Sequence, residues 1–387
     1  MVVMRKLLVP AVASVLAALA VLSVWTTFGD PVTWTPDGLY YHVQLLEFRG
    51  VEHDEAYSRT FEGPLSAELR ARDPHHTGNA EWAEYNEPFY ERRVALPLVG
   101  AALYPLTEDR TLLYLSLAGY VAVIVALFLL LLLRFRLAIA AAVTTATVFL
   151  PPLVSHASYP LTDTWGLTLE IGALIAALLA LERGLRWLPL WAVLIGVLAL
   201  TRDSTWIPIL GVGWLAFRLR TREPVLLFVT GIAAALPALL LFKTPVRELL
   251  ALLVNESEPS ADTSWGFILG HYPEAVIDLV RANVGFLRRG EWYTALYFVG
   301  GVAALFTIAW KQRPKVDART SFFVAAAVAA ILYVLAAPVF SAFRLELAAL
   351  PMAAWGIAMT VEWVTERVGQ RARRLTPVAV PLRAPPQ

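Results

Sequence analysis

The sequence predicts an all-α polytopic membrane protein of about ten transmembrane helices, with a large first outer loop carrying short juxtamembrane helices. Three observations carry this expectation. Of the 387 residues, 58% are hydrophobic and only 16% charged, with a mean hydropathy of +0.60, a balance too apolar for an ordinary soluble domain. Apolar runs recur at approximately 7–27, 111–133, 137–155, 164–181, 187–201, 206–217, 224–242, 292–310, 320–340 and 345–363. Basic clusters then fall after every second run: Arg134/Arg136, Arg183/Arg186, Arg218/Arg220/Arg222, Lys311/Arg313/Lys315 and Arg367/Arg371/Arg373/Arg374. All lie on the side of Arg5 and Lys6, which places both termini in the cytoplasm and the chain in the cell (plasma) membrane.

Composition also excludes functions. A net charge of +1 leaves no basic surface for nucleic acid once the membrane-flanking clusters are set aside. Without cysteine there is no disulfide, thiolate zinc site or thiol nucleophile. No Walker-type glycine loop and no Gly-x-Ser-x-Gly occurs, which removes support for ATP-driven transport and serine hydrolysis.

The first run, 1–28 with its flank, is longer than a signal core and has no small-x-small cleavage site before Trp25, so it reads as a retained span. Residues 29–110 form the polar outer loop. In it Thr35 can cap a helix, Pro36 suits the first position and Asp37 falls in the first turn. Asp37, Tyr40, Tyr41 and Gln44 then share one face, and Arg49-Gly50 supplies the stop. A second short helix is expected between Arg92 and Tyr104; its apolar run is too short to span and suits the interface. Residues 111–243 and 292–366 are expected as the two groups of spans, 244–291 as a second outer-face loop and 367–387 as a disordered cytoplasmic tail rich in proline.

Polar residues gather on the outer face. Asp163 follows Ser155-His156-Ala157-Ser158-Tyr159-Pro160-Leu161-Thr162, Arg202 and Asp203 close another run, and Arg344 opens the last. Arginine forks match phosphate oxygens, so Arg92, Arg93, Arg202 and Arg344 are candidates to clamp a lipid phosphate, with Lys243 and Arg247 behind them. The bland alternative is snorkelling of each cation to headgroups. Glu87 belongs to Tyr85-Asn86-Glu87-Pro88-Phe89-Tyr90-Glu91-Arg92-Arg93, either an interfacial belt or a sugar- and phosphate-contacting loop. Glu170 lies at intramembrane depth, functional by default or a buried structural hydrogen bond. His75-His76 and His53-Asp54-Glu55 lack metal-site spacing, so no protein-held metal is expected, and a divalent cation shared with a substrate phosphate stays open.

An acid in Thr35-Pro36-Asp37-Gly38-Leu39-Tyr40-Tyr41 at the outer end of a first span, a long outer loop with two short helices, then Tyr159-Pro160-Leu161-Thr162-Asp163 and Leu200-Thr201-Arg202-Asp203, together resemble the GT-C superfamily of membrane glycosyltransferases, bacterial type, over residues 1–240 in layout. The resemblance implies a polyprenyl-phosphate-linked sugar as donor, a lipid, glycan or protein acceptor on the extracytoplasmic side, and a role in the cell envelope. It implies that Asp37 is the catalytic base or orients the acceptor. Tyr40, Tyr41, Glu87, Arg92, Arg93, Asp163, Arg202, Asp203 and Arg344 are the substrate-binding candidates, chosen for their chemistry and their place on the outer face. The chain departs from the pattern in having Gly38 where many members carry a second acid. Two other classes stay open: a transporter or lipid flippase, for which Glu170 and Pro151-Pro152 and Pro237 are the mid-membrane features, and a non-catalytic scaffold whose outer loop binds a partner.

Overall fold

The computed structural model describes residues 2–28, 34–77, 80–242, 245–255, 258–288, 291–312, 316–339, 341 and 343–375. Its regular structure is entirely helical, without a strand among the described residues. Lys243 and the tail beyond Leu375 lie outside them.

Helix α1 (Val2–Phe28) is followed by α2 (Pro36–Phe48), α3 (Ala95–Thr107) and α4 (Thr111–Leu132). Next come α5 (Leu137–Val148), α6 (Pro151–Ala157), α7 (Asp163–Arg183), α8 (Leu188–Ala199), α9 (Trp206–Leu219) and α10 (Arg222–Leu241). The chain closes with α11 (Val246–Val254), α12 (Trp265–Arg288), α13 (Trp292–Lys311, with a π-helical turn at Leu296–Gly300), α14 (Ala318–Ala336) and α15 (Leu350–Leu375).

Each of the ten expected apolar runs is helical over most of its described length. Seven helices among the described residues are long and apolar enough to cross a membrane, or eight if α5 and α6, bent by 65° at Phe149-Leu150, make one broken span. Pro151 and Pro152 at the start of α6 explain the break, because neither can donate to the preceding turn. Helices α8 and α9, with 12 and 14 residues, are shorter than the roughly 20 that a bilayer core requires. In the other direction, α3 runs through a tight turn at Glu108–Arg110 into α4, giving one apolar stretch of 38 residues.

The bundle is centred on α7, which packs against α4 and α8, while α1 lies on α4 and α5. Its core holds Tyr120, Phe128, Trp191, Phe322, Phe323 and Trp355, with the last two rings stacked 4.0 Å apart. In lipid such packing is selected by fit and by satisfied hydrogen bonds rather than by the hydrophobic effect; the Trp191 indole accordingly donates to the Leu227 carbonyl at 2.9 Å. Large apolar side chains such as Val229, Leu240, Leu241 and Trp310 remain exposed, as lipid contact requires.

A second, smaller core caps one end. It gathers Leu39, Tyr40, Tyr41 and Leu45 of α2 with Phe61, Trp82, Leu96 and Leu112. Two expectations are corrected in this region and its neighbour. Segment 29–110 holds more than two helices, because short turns such as His53–Tyr57 and Ala67–Arg72 bury Ala56, Phe61 and Leu69 against α2. Segment 244–291 is not loop but mostly α11 and α12, whose apolar faces were obscured by interspersed charges. The last helix also continues to Leu375, past the expected end near residue 366.

Candidate functional site

The site begins with the start of α2. Thr35 adopts an extended conformation and its hydroxyl accepts from Gly38 N at 3.2 Å, so the cap forms as the sequence requires and presents Asp37 in the first turn. The face of Asp37, Tyr40, Tyr41 and Gln44 meets one segment of chain. Tyr90 donates its hydroxyl to Asp37 Oδ1 at 2.6 Å, Tyr40 stacks on the Tyr90 ring at 4.5 Å, Gln44 donates to the Tyr90 carbonyl at 2.9 Å, and Arg93 Nη1 donates to Tyr41 Oη at 3.0 Å. Tyr90 is the residue that sequence reasoning passed over. It lay inside a flagged stretch of mixed aromatics and acids, and nothing in its spacing distinguishes it from Tyr85.

Cations arrive from three other places in the chain. Arg344 donates through Nη1 to Asp37 Oδ2 and through Nε to Asp163 Oδ1 at 2.7 Å. The same Asp163 oxygen accepts from Arg202. Arg93 reaches Asp203 at 3.1 Å, and Arg92 is paired with Asp203 as well. Asp37, Arg344, Asp163 and Arg202 therefore form an alternating chain of charge, with the Arg92/Arg93/Asp203 group alongside it. The four arginines against three aspartates leave one positive charge in excess. Arg344 Nη2, Arg92 Nε and Arg93 Nε are buried donors without a protein partner among the described residues, so each keeps an unused N–H.

Backbone geometry supports these positions. Phe343 adopts a left-handed conformation, φ 67°, at a cost of order 1–3 kcal/mol for a non-glycine residue. Its ring, packed 5.6 Å from Phe286 and 5.8 Å from Phe298, holds the turn that aims Arg344 at both aspartates. Gly166 is where the Arg202 side chain crosses α7; a Cβ there would come within 2.2 Å of Arg202 Cγ. Gly38 is equally constrained, since a Cβ would lie 2.8 Å from Pro160 Cγ. At this position α2 packs too closely on Pro160 to carry a side chain.

Nine of the ten candidate residues fall in or against this cluster, Tyr40 through its stack on Tyr90. Glu87 does not join them; it sits 3.6 Å from His53 at the solvent-facing side of α2, with Glu47 beside it. Burial raises the Glu87 carboxyl, His53 opposes this, and Glu47, Glu91 and Glu84 add to the rise. Glu170 is buried on α7, about two turns beyond Asp163. Arg247, on α11, takes no part in these contacts.

Electrostatics keep Asp37 charged. Burial raises its carboxyl, but the Arg344 guanidinium, the Tyr90 hydrogen bond and Arg93 together outweigh burial and hold it below the usual carboxylate range. Burial and the Asp37 charge push the Tyr90 hydroxyl well above 10, so it remains a donor. Burial and the neighbouring Arg93 lower Arg92 to about 10, still protonated at neutral pH. A pH expectation follows with its sign. A carboxyl whose folded pKa is depressed is ionised above its unfolded value near 3.9 and loses its charge only as pH falls through the lower folded value. The pH profile of kcat/KM, which reports the free protein, for any activity that uses ionised Asp37 is therefore expected to show no acid limb from this group between pH 5 and 7. An acid limb in that window that vanishes in Asp37→Asn runs against this placement.

Among the described residues no three His, Asp or Glu side chains converge as metal ligands would. What the arrangement can do chemically is bind an anion beside a carboxylate that is itself held by hydrogen bonds. The chain matches no known protein-family model, and a search of curated proteins likewise finds no match.

Proposed function

We propose that this protein is a GT-C-like membrane glycosyltransferase that moves a sugar from a polyprenyl-phosphate carrier to an acceptor on the extracytoplasmic face, in a plasma-membrane topology of ten spans with both termini cytoplasmic. The observation that carries the reading is the convergence of Asp37 with Arg344, Asp163, Arg202, Arg93 and Arg92 from segments up to 307 residues apart. Snorkelling arginines would point away from one another; these point inward and retain unpaired donors.

In this mechanism the donor phosphate binds the unpaired N–H groups of Arg92, Arg93 and Arg344. The acceptor hydroxyl oxygen attacks the anomeric carbon, the bond from that carbon to the phosphate oxygen breaks with its electron pair going to the phosphate, and the hydroxyl proton passes to Asp37. The arginines stabilise the charge that develops on the departing phosphate. Paired with Arg344, Asp37 is a weak base. A phosphate that draws Arg344 toward itself removes part of that pairing, and Asp37 becomes a stronger base when the donor is in place. Tyr90 and Tyr40 keep the carboxylate oriented throughout.

The test is release of polyprenyl phosphate by the full chain in proteoliposomes given a panel of polyprenyl-phosphate sugars and candidate acceptors. Acceptor-dependent release is expected, unchanged by EDTA because the arginines supply the positive charge. Loss of release with EDTA, restored by a divalent cation, moves charge neutralisation to an ion bridging a carboxylate and the phosphate. No release with any donor in the panel, from protein shown to be folded, overturns the reading.

A further inference from the structure

A groove of about 730 Å³ runs between α9, α13 and α14, away from the arginine cluster. Its lining is apolar along most of its length: Leu210 of α9, Phe306 and Ala309 of α13, and Val324, Val328 and Leu332 of α14. Such a volume is in the range of a ligand-sized cleft, and its walls belong to membrane helices, so its natural content is a hydrocarbon chain.

The polar groups of the groove are all at one end. Arg218 lines it there, with its side chain exposed and its Nη2 donating to the Val316 carbonyl at 3.0 Å; no carboxylate pairs with it among the described residues. Trp214 donates its indole N–H to Ser321 at 3.3 Å, and the Trp310 ring is 68% exposed beside it, the pattern of an interfacial aromatic. Around this rim stand the exposed Arg220, Arg222 and Lys311. Asp317, at the start of α14, is occupied by Thr320, accepting from its N and its Oγ1 at 2.9 Å.

Length decides which molecule fits. From Ser321 to Leu332 along α14 the groove covers 12 residues, a rise of about 16 Å at 1.5 Å per residue. That is one leaflet, half of a hydrocarbon core of about 30 Å. A lipid anchored by a phosphate at Arg218 would fill the groove with one acyl chain and stop near the mid-plane.

We propose that this groove is a binding site for one anionic phospholipid of the leaflet on the basic side, its phosphate on Arg218 and one acyl chain between α9, α13 and α14. Basic pockets between membrane helices on that side hold anionic headgroups by the same charge complementarity. The site is separate from the Asp37 cluster and does not depend on the glycosyltransferase reading.

The test uses the full chain, delipidated in detergent, with phosphatidylglycerol, phosphatidylcholine and a polyprenyl phosphate as probes and native mass spectrometry as readout. One phosphatidylglycerol per chain is expected to be retained, in preference to phosphatidylcholine. Arg218→Gln should weaken retention about fivefold, the effect of one cation near an anionic headgroup. Ala325→Phe, which places a ring in the groove, should abolish it. Equal retention of the two phospholipids, or an unchanged Arg218→Gln variant, overturns the proposal. So does displacement of phosphatidylglycerol by polyprenyl phosphate, which would make the groove the seat of an isoprenoid tail instead. Should Ala325→Phe fail to fold, Arg218→Gln, at an exposed side chain, decides alone.

Discussion

Replacing Asp37 by asparagine is expected to lower sugar transfer by about 10²–10⁴-fold while expression and membrane insertion stay unchanged. The amide keeps the shape of the carboxylate and can still accept the Tyr90 hydroxyl hydrogen bond, but it cannot take a proton from an acceptor. The structural penalty is limited because Arg344 keeps its second partner, Asp163, at 2.7 Å. Donor affinity is not expected to fall, since the proposed phosphate site is built of arginines and Arg344 no longer has the Asp37 charge as a competing partner. Measured in proteoliposomes, a rate within tenfold of the unaltered protein would remove Asp37 from proton transfer and leave it as an anchor for Arg344.

Arg344 carries the second large expectation. Among the described residues it alone bonds both Asp37 and Asp163, so Arg344→Leu leaves Asp37 without a directly bonded cation and Asp163 with Arg202 alone. Removing one partner from a largely buried ionic network costs on the order of 3 kcal/mol, because the charge left behind is poorly solvated. Thermal unfolding in detergent should show that loss, and transfer should fall with it. Arg344→Lys separates charge from geometry. Lysine restores one positive charge but is a point donor, and it cannot send one nitrogen to Asp163 and another to Asp37 as the guanidinium does through Nε and Nη1. Partial recovery of stability without recovery of transfer is the expected result; a lysine variant equal to the unaltered protein in both would show that the fork is not needed.

Both expectations rest on contacts between distant parts of the chain, which is where sequence and structure part company. The cap at Thr35, the face of Asp37, Tyr40, Tyr41 and Gln44, and the stop at Arg49-Gly50 are local, set by side-chain hydrogen bonding and helical period within a dozen residues, and they stand in the structure where the spacing puts them. The apolar runs are local in the same sense, because about 20 apolar residues form a helix in lipid whatever surrounds them. The helices of 244–291 were missed because charges such as Arg247, Glu248, Glu274 and Asp278 interrupt the hydropathy signal while leaving an apolar face intact. Glu87 was misplaced for a different reason: it lies three residues from Tyr90, but the tight turn at Glu87–Phe89 directs its side chain to His53 instead of toward Asp37.

By itself, then, the sequence determined an all-helical membrane protein and the presence of an acid in the first turn of α2, both consequences of short-range periodicity and capping. Only the tertiary structure decided that Asp37 meets Tyr90 and Arg344, that Asp163 is shared by two arginines, and that position 38 has no room for a side chain against Pro160. The physical reason is that an ion pair between residues 307 positions apart leaves no trace in local spacing, and depends on how α7, the turn at Phe343 and the end of α8 are packed around one another.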